Sequence, residues 1–448
     1  MDKRVGLNEV NFAKCLDGKN QIVYPLLLKY LLDTKMFITS GDFLYHYDER
    51  FGYWENIGFN RGKFIIRQYI PHEYQTAISS FKVKKIVEDL ISFSTIFYKI
   101  KDNTNLLNVK NGVMDLEKKE ILEHNPEYYF DYVNDFNYIK DAKISDAKVF
   151  CKYIETSVGC SANNSPELKQ ILEMLGYVIS NIRCAEKAFF ILGESNTGKS
   201  ILLKLLEKVF HERDISCVGL HELGSTFRFA SLGYSRINLL HELKPVAIKC
   251  VDEFKKVVSS EDIICEEKGK NPKRIKPKTV FVTATNAMPN FLGMELNSSI
   301  INRMQLIRFS GSISKDEINR NLLLELEAEK DIIFSVAVDE LIELKTNNYN
   351  FTVPKHIISY MKAYSESLNS IDLFIRDCCV IESNRKIFSK DLYDFYLKFV
   401  NDNGLNKHSI HDFGLQVRSI KGVINKKIRI NEKSLQGYEG IGISNNLR

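Results

Sequence analysis

The chain has 448 residues, of which 44% are apolar and 27% charged, and its formal net charge is +5. This length allows two to four domains with their own cores, and the composition is ordinary for a soluble globular protein. We find no apolar run long enough for a membrane helix, no secretory segment behind Met1 and no paired CxxC motifs among nine scattered cysteines. These features argue against a membrane span, export, a zinc site and a disulfide framework. We therefore expect a cytoplasmic protein, in the host cell if a mobile element encodes it.

The first third of the chain predicts an α+β domain. Short aromatic-rich strands such as Phe43–Tyr47 alternate with helical stretches. Asn111 and Gly112 stand between two apolar runs, which predicts a β-hairpin. Residues 150 to about 186 follow with an apolar stripe at helical spacing. From Lys187 to about Ser312, apolar strands alternate with helices, a pattern typical of a parallel α/β sheet.

The segment Gly193–Ser200 reads Gly-Glu-Ser-Asn-Thr-Gly-Lys-Ser and matches the P-loop pattern GxxxxGK[ST]. An apolar strand precedes it and an amphipathic helix follows it, the order that phosphate binding requires. Lys199 is expected to reach the β and γ phosphates of ATP, and the Ser200 hydroxyl to ligate Mg²⁺. The residues expected to bind ATP are Gly193, Glu194, Ser195, Asn196, Thr197, Gly198, Lys199, Ser200 and Ile201.

Two later strands also end in polar side chains. The run Arg236–Leu243 delivers His241 and Glu242 to the carboxyl edge, where active sites of parallel sheets lie. Glu242 is expected to polarise the attacking water, directly or through Mg²⁺; the alternative is a merely solvated carboxylate. Asn286, at the end of Thr279–Asn286, could orient this water or sense the γ-phosphate, although Thr-Asn at a strand end is usually just a turn.

Arg303 lies just beyond these strands in the sequence. We expect it to enter the site of a neighbouring subunit, where an arginine can stabilise charge on the γ-phosphoryl group in the transition state. The alternative is an ordinary surface arginine.

A basic loop separates the Glu242 strand from the Asn286 strand. Six of the eleven residues from Lys268 to Lys278 are basic, and Gly269 with Asn271-Pro272 would make a turn. This loop is predicted to grip a nucleic-acid backbone; a solvated charge run is the alternative. Its proposed DNA contacts are Lys268, Lys270, Lys273, Arg274 and Lys276.

The C-terminal residues are also basic, with eight Lys/Arg against three Asp/Glu from Gly404 to Arg448. Two helices, Ser389–Asn401 and Ser409–Val417, precede a basic β-ribbon at Val423–Ile430, and this helix–helix–ribbon order suits a winged helix. Winged helices also mediate protein contacts, so protein binding is the alternative to DNA binding for this domain. The proposed DNA contacts are Arg418, Lys421, Lys426, Lys427 and Arg429.

The order of the central motifs resembles that of superfamily 3 helicases, which phages, plasmids, genomic islands and large DNA viruses carry. The resemblance rests on Gly193-x-x-Asn196-x-Gly198-Lys199-Ser200, the Glu242 strand, the basic loop, the Thr-Ala-Thr-Asn286 strand and Asn302-Arg303-Met304. It implies an AAA+-like ATPase core that forms hexameric rings, with 3′-to-5′ translocation usual.

A looser resemblance covers both ends of the chain. Leu107–Leu116 and Pro126–Phe130 are similar to the domain that precedes the helicase in poxvirus-type and phage-type primase–helicases. Phe374–Cys379, Ser389–Tyr396 and the segment Gly437–Gly442 resemble their C-terminal winged-helix module. His241 departs from the family pattern, since many members have a second acid there; this affects one metal contact and not the whole site. No paired carboxylates or zinc ligands for primase chemistry precede residue 150.

We therefore expect an α/β protein with an AAA+-like P-loop ATPase core, an N-terminal α+β domain and a C-terminal winged-helix domain. The expected domains are the N-terminal domain 1–149, the core 150–312 with leading helices 150–186, a helical connector 313–368 and the winged helix 369–448. The expected catalytic residues are Lys199, Glu242, Asn286 and Arg303, and the expected Mg²⁺ ligands are Ser200 and Glu242.

The expected function is ATP-dependent unwinding of DNA during replication of a mobile or viral element, with origin binding as a further expectation. The expected partners are single-stranded and duplex DNA, other copies of the chain in a hexamer, and a separate primase or host replication proteins, with no membrane. Two alternatives stay open: a P-loop ATPase that remodels or packages DNA without unwinding it, and a nucleotide-gated DNA-binding regulator.

Overall fold

The computed structural model describes residues 12–40, 43–93, 95–96, 104–161, 165–244, 248–266, 271–289, 291, 299–311, 319–368, 370–403, 405, 407–430 and 433–444. The chain divides into two compact units, Met1–Lys140 with Val209–His211, and Asp141–Lys208 with Glu212–Arg448. None of the helices in these described ranges is long and apolar enough to cross a membrane.

In the described residues of the first unit, three α-helices combine with two small sheets. Helices α1–α3 are Tyr24–Asp33, Gly58–Gln68 and Ser80–Phe93. Strands β1–β7 are Phe37–Ser40, Phe43–Asp48, Tyr53–Asn56, Thr95–Ile96, Leu106–Val109, Gly112–Asp115 and Glu120–Leu122. One sheet has the order β3-β2-β1-β4, in which only the β1–β4 pair is parallel, and the antiparallel sheet β5-β6-β7 is separate. The inner faces of the three helices close over one side of the larger sheet, with Leu27, Ile66 and Leu90 fully buried.

The predicted hairpin is confirmed, and its turn lies one residue earlier than expected. Val109 pairs with Gly112, so the turn residues are Lys110 and Asn111. The Asn111 side chain and Tyr138 backbone exchange two hydrogen bonds of 2.9 Å, which hold the turn. A Cβ at Gly112 would lie 2.6 Å from the Leu122 carbonyl oxygen, so glycine is required there by the close approach of β7.

The second unit contains the central sheet and most of the helices. Helices α4–α14 are Lys148–Val158, Pro166–Ile179, Lys199–Glu207, Thr226–Tyr234, Val251–Val258, Leu322–Ala328, Lys330–Thr346, Lys355–Leu368, Ser370–Cys378, Ser389–Asp402 and Ile410–Ser419. Strands β8–β19 are Ala188–Gly193, Ile215–Ser216, Ile237–Leu240, Ile263–Cys265, Lys273–Ile275, Val280–Thr285, Met304–Phe309, Cys379–Val380, Lys386–Phe388, Ile424–Ile430, Lys433–Glu439 and Gly442–Ile443.

Five parallel strands form the central sheet in the order β14-β8-β13-β10-β9. Strands β8, β10 and β13 are buried along nearly their whole length, as their continuous apolar runs require in a sheet covered on both faces. The prediction of an α/β protein with a parallel sheet is confirmed. Because the order of the strands differs from their order in the sequence, segments far apart in the chain end side by side.

Helices α5 and α10 pack closely against each other beside this sheet. A Cβ at Gly176 of α5 would lie 2.2 Å from the carbonyl oxygen of Ala337 and 2.9 Å from the Cβ of Leu341, both in α10. The glycine therefore sets how near the two helices can approach. Glu173, one turn earlier, accepts hydrogen bonds of 2.7 and 2.8 Å from the backbone N–H and hydroxyl of Thr352, just beyond α10.

The C-terminal residues of the second unit form a small cluster of their own. Helices α12, α13 and α14 enclose an apolar core that includes Phe374, Tyr396, Phe413 and Val417. Strands β16, β18 and β17 form an antiparallel sheet, and β17 and β18 are joined as a long ribbon. The helix–helix–ribbon order predicted from the sequence is thus observed.

Candidate functional site

The carboxyl ends of three adjacent strands, β8, β13 and β10, meet at one edge of the central sheet. Leu192 of β8 pairs with Thr285 of β13, and Leu240 of β10 pairs with Thr283 of β13, so the three strands end almost level. The segments that follow them surround a cleft of about 990 Å³. The lining residues from these segments are Ser195, Asn196, Thr197, Gly198, Lys199, Ser200, Ile201, His241, Glu242, Ala284, Thr285 and Asn286.

The loop between β8 and α6 needs both of its glycines. A Cβ at Gly193 would lie 2.3 Å from the carbonyl oxygen of Phe309, so only glycine fits between the loop and β14. Gly198 has a φ of +90°, and a Cβ there would lie 2.5 Å from the Ser157 hydroxyl oxygen. Asn196 also has a positive φ of 63°, a conformation that asparagine tolerates better than most residues. The loop is therefore bent toward the N-terminus of α6, where backbone N–H groups attract anions.

Lys199 is the first residue of α6 and is only 8% exposed. Its ammonium donates hydrogen bonds to the carbonyl oxygens of Gly193 at 2.7 Å and Glu194 at 2.5 Å. Burial lowers the pKa of Lys199, and the nearby Glu242 carboxylate opposes this shift. The ammonium is thus held at the mouth of the loop by groups that an arriving phosphate can replace.

The oxygen groups that face the cleft fit a hard cation. The Ser200 side chain and the Glu242 carboxylate are both exposed there. Mg²⁺ prefers oxygen ligands and is usually held by one or two carboxylates together with substrate phosphates and water. No group of three or more His, Cys, Asp or Glu side chains that could hold a metal by themselves occurs among the described residues.

Asn286 lies between the Gly193–Ser200 loop and Glu242 because β13 lies between β8 and β10 in the sheet. Its side chain is exposed, while Thr285 before it is buried and donates a hydrogen bond to the Ala287 carbonyl oxygen. An amide at this position can contact a group located between the loop and the carboxylate. The structure therefore brings together Lys199, Ser200, Glu242 and Asn286, the residues that the sequence singled out.

Helix α4 supplies residues to the same cleft that sequence reasoning missed. The Tyr153 hydroxyl donates a hydrogen bond of 2.9 Å to the carbonyl oxygen of Gly198. Burial raises the pKa of Tyr153, so the hydroxyl keeps its proton and remains a donor. Lys148 and Lys152 lie on the exposed part of α4 and also line the cleft. The helical spacing of this segment was visible in the sequence, but nothing there indicated which turn meets the loop.

The N-terminus of α4 is held by a carboxylate far away in the sequence. Glu329, between α9 and α10, accepts a hydrogen bond of 3.0 Å from the backbone N–H of Val149 and another of 2.9 Å from Phe150. Both groups are among the N–H donors that an α-helix leaves unpaired at its start. Asn319, Leu322 and Glu325 from the α9 segment line the cleft as well.

His241 stands where the sequence led us to note the missing second acid. Its Nε2 is 2.8 Å from a carboxylate oxygen of Glu207, at the end of α6. The carboxylate beside Glu242 is thus replaced by an imidazole that is itself paired with an acid.

The structure does not bring Arg303 to the cleft within one chain. Arg303 immediately precedes β14, whereas the Gly193–Ser200 loop follows the adjacent parallel strand β8. The two therefore lie at opposite ends of these strands, roughly 20 Å apart along six residues of strand. Its guanidinium forms an ion pair of 2.8 Å with Glu186 and donates to the Ser259 hydroxyl. Action on the site of a neighbouring copy stays a prediction.

The predicted basic loop is a β-hairpin in which β11 pairs with β12. Lys273 and Arg274 lie on β12, Arg274 forms an ion pair of 3.1 Å with Asp262, and Lys276 is exposed just beyond the strand. Lys268 and Lys270, the other proposed DNA contacts of this loop before β12, lie outside the described residues. The root of the hairpin packs on α7, where a Cβ at Gly233 would lie 3.0 Å from the Cys265 sulfur.

The predicted cations of the C-terminal cluster lie on its surface. Lys427 and Arg429 are exposed on the same face of β17, because side chains two residues apart share a face. Lys426, on the other face, forms an ion pair of 2.8 Å with Glu439. Arg418 and Lys421 are exposed at and beyond the end of α14.

Comparison with protein families gives two partial matches. Residues 27–175 match a family described as D5 N terminal like. Residues 191–303, which contain Gly193–Ser200, Glu242, Asn286 and Arg303, match DUF5906, a family of unknown function.

Comparison with curated proteins finds no matching sequence. Among solved structures, the A form apo structure of the NrS-1 C-terminal region is similar over 92% of this chain and 98% of that chain, with 12% identity and a TM-score of 0.48. The apo structure of the NrS-1 C-terminal region (305-718) is similar over 69% of this chain and 78% of that chain, with 13% identity and a TM-score of 0.39.

Proposed function

We propose that this protein is an ATP-dependent DNA helicase of the superfamily 3 type, with an AAA+-like core that assembles into a ring and acts in replication of a phage or other mobile or viral element. One observation carries the proposal: Lys199, Glu242 and Asn286, from three separate segments, line a single cleft with a P-loop. If these three polar residues only stabilised the fold, they would not need to line the same cleft.

The cleft suits hydrolysis of a nucleoside triphosphate. The N–H groups of the loop and the Lys199 ammonium would bind the phosphates, and Glu242 would orient and deprotonate the attacking water. Asn286, between them, would hold this water or the γ-phosphate. Mg²⁺ bound at Ser200, with Glu242 nearby, would offset the negative charge that develops on the phosphoryl oxygens.

The remaining volume suits the nucleoside. Val149 and Leu322 supply apolar surface, and Lys148 and Lys152 supply positive charge on the α4 side. A binding site for a nucleotide typically combines such an apolar lining with a few placed polar groups.

The assignment to DNA unwinding rests on the motif order and on the surfaces outside the cleft. The D5 N-terminal-like match covers the region in front of the P-loop, where the sequence resembles primase–helicases of phages and poxviruses. The β11–β12 hairpin and the exposed cations of α14 and β17 offer positive charge to a polyanion. We propose the winged-helix fold and an origin-binding role for the C-terminal cluster on the same grounds.

A forked DNA duplex tests the proposal. We expect the full chain to hydrolyse ATP with Mg²⁺ and to displace the labelled strand, and Lys199→Ala to lose both activities. Lys204→Ala, which removes an exposed lysine from the same helix, is the matched control and should retain them.

Two outcomes would contradict unwinding as the function. Hydrolysis without strand displacement by the wild type would favour an ATPase that remodels or packages DNA. Full DNA-linked activity in Lys199→Ala, despite lost turnover, would favour a nucleotide-gated regulator.

A further inference from the structure

Helices α2 and α3 of the first unit expose phenylalanine side chains on their outer face. Their inner faces are apolar and closed, with Ile66 of α2 and Val87 of α3 fully buried. On the outer face, however, Phe59 is 36% exposed and Phe81 is 75% exposed. A large apolar ring that stays in water gains nothing for the fold, so such a cluster on a surface usually marks an interaction site.

Two lysines lie over the Phe59 ring, and Phe81 has lysines on its side of α3. The ammonium of Lys63 lies 5.0 Å from the centre of the Phe59 ring, and that of Lys84 lies 5.7 Å from it. Lys84 comes from α3, so the Phe59 ring joins the two helices. Phe81 precedes Lys84 and Lys85 by three and four residues and therefore shares their side of α3. We call Phe59, Lys63, Phe81, Lys84 and Lys85 the aromatic–basic patch.

The positive charge of the aromatic–basic patch is available to a ligand. None of the residues that the structure describes forms an ion pair with Lys63 or Lys85. Lys84 is 3.8 Å from Glu88, and both side chains are more than half exposed, a type of pair that contributes little. From residue 58 to residue 93, six Lys/Arg stand against three Asp/Glu.

Exposed aromatic rings between lysines fit a ligand that is both an anion and a stack of flat rings. Single-stranded nucleic acid has this chemistry, because its unpaired bases stack on aromatic side chains while its phosphates meet the cations. A duplex would use the lysines and leave the phenylalanines uncovered, since its bases are already stacked. A neighbouring protein surface would bury the rings but would have to neutralise the lysines with acidic residues.

We propose that the aromatic–basic patch binds single-stranded DNA, with bases stacked on Phe81 and Phe59 and the strand's phosphates at Lys63, Lys84 and Lys85. This rests on the proposed function only for the choice of DNA as the nucleic acid. It gives the first unit a role of its own: to hold a single strand whether or not nucleotide is bound.

Binding of the full chain to a fluorescent oligothymidylate, without nucleotide, tests the proposal. We expect Phe59→Ala with Phe81→Ala to weaken binding roughly 5- to 150-fold per base stack lost, with little change in its salt dependence. Lys63→Gln, Lys84→Gln and Lys85→Gln together should instead reduce the slope of log affinity against log salt by about 2. The chain offers a matched control in Phe64→Ala, because Phe64 is 63% exposed but lies about 140° around α2 from Phe59.

Photo-crosslinking locates the strand independently of other DNA sites on the chain. An oligonucleotide with 5-iodo-deoxyuridine should give adducts in peptides that contain Phe59 or Phe81, and the double alanine variant should lose them. Absence of adducts between residues 58 and 93 at saturating DNA would overturn the proposal, as would an equal loss of binding in Phe64→Ala.

Two further outcomes separate this inference from others. If Phe59→Ala with Phe81→Ala changes the oligomeric state of the protein in solution but not its DNA affinity, the aromatic–basic patch joins subunits and the proposal is wrong. If wild-type and Lys199→Ala chains both bind the strand through the patch, yet the wild type hydrolyses no ATP, the proposed function fails and this inference stands.

Discussion

At the scale of single residues, Glu242 and Lys199 line the same cleft, but nucleotide binding and hydrolysis are expected to depend on them differently. Lys199 contacts the loop that would hold phosphates, whereas Glu242 is exposed across the cleft from it. We expect Glu242→Gln to bind ATP nearly as tightly as wild type, because the loop is untouched. Hydrolysis should fall roughly 10²- to 10⁴-fold, since the amide cannot accept a proton from water.

Binding of a fluorescent ATP analogue and release of phosphate measure these two properties of Glu242→Gln. Glu261→Gln, which alters an exposed carboxylate that does not line the cleft, should leave both unchanged. Wild-type turnover in Glu242→Gln would remove this carboxylate from the mechanism.

His46, in the first unit, predicts a pH effect on stability. Burial lowers the pKa of His46 to about 4, a nearby Asp48 raises it and Arg61 lowers it slightly further. The unfolded chain binds a proton near pH 6.5, whereas the folded chain does not. The stability of the first unit should therefore be intact above about pH 6.5 and fall, by on the order of a few kcal/mol, as the pH drops toward 4.

Urea unfolding measured through Trp54 reports this effect, since Trp54 is the only tryptophan in the chain and lies in β3 of the same unit. His46→Gln should flatten the pH dependence between 6.5 and 4. An unchanged slope in this variant would assign the effect to other groups.

Site residues that belong to a continuous sequence motif could be predicted from the sequence. Site residues that reach the cleft only through tertiary packing could not. Gly193–Ser200 is one continuous segment that runs from the end of β8 through a short loop into the start of α6, so its pattern can be recognised from the sequence alone. Tyr153 and Glu329 reach the same site only because α4 packs on the loop and the α9–α10 junction packs on α4. A lone tyrosine and a lone glutamate within helical stretches give no sign of this.

At the scale of elements, a substitution of Gly176 tests how closely α5 and α10 must pack against each other. In an open helix, Gly→Ala gains up to ~1 kcal/mol in helix propensity. Here the new methyl group would overlap the Ala337 carbonyl oxygen, and such overpacking costs about 1–3 kcal/mol. Gly176→Ala should therefore destabilise the second unit.

Thermal unfolding of Gly176→Ala and Gly62→Ala side by side measures the difference. Gly62 is also helical, but the nearest atom to its added Cβ would be 3.5 Å away, so this variant should be neutral or slightly stabilised. Equal melting temperatures for the two variants would show that α5 and α10 can move apart at little cost.

The elements themselves were predictable where apolar runs are long. Strands β8, β10 and β13 and helix α13 lie within a few residues of their expected bounds, whereas the helical stretch expected from 150 to about 186 is two helices, α4 and α5. Their order across the sheet was not readable, because parallel pairing depends on which strands the intervening helices allow to meet. The hairpin turn lies one residue earlier than expected, and Asn111 in it is held by Tyr138, a contact that the local sequence does not reveal.

At the scale of the whole molecule, variants of Arg303 can test the proposed assembly of several copies into a ring. Arg303 lies at the amino ends of the strands and the Gly193–Ser200 segment at their carboxyl ends, so under the proposed function Arg303 would reach ATP only in another copy. We expect Lys199→Ala and Arg303→Ala each to be inactive alone, and their mixture to recover part of the ATPase activity. Recovery follows because some interfaces would then pair an intact loop with an intact arginine.

Glu186→Gln is the control for this mixing experiment. It removes the ion pair of Arg303 within the chain but keeps the guanidinium, so it separates lost stability from lost catalysis. Should the mixture stay inactive while each variant still forms the same oligomer as wild type, Arg303 is a structural residue and not a partner of the neighbouring site.

The hydrogen bonds that Glu329 accepts from the first turn of α4 limit which fragments of the chain can be expressed with an intact cleft. An expression fragment that stops at residue 312 keeps every P-loop atom but discards the carboxylate on which Val149 and Phe150 depend, as well as Thr352, which binds Glu173. In such a fragment α4 would fray and Tyr153 would release Gly198. We therefore expect a fragment that keeps the proposed nucleotide site to run from before α4 through Thr352.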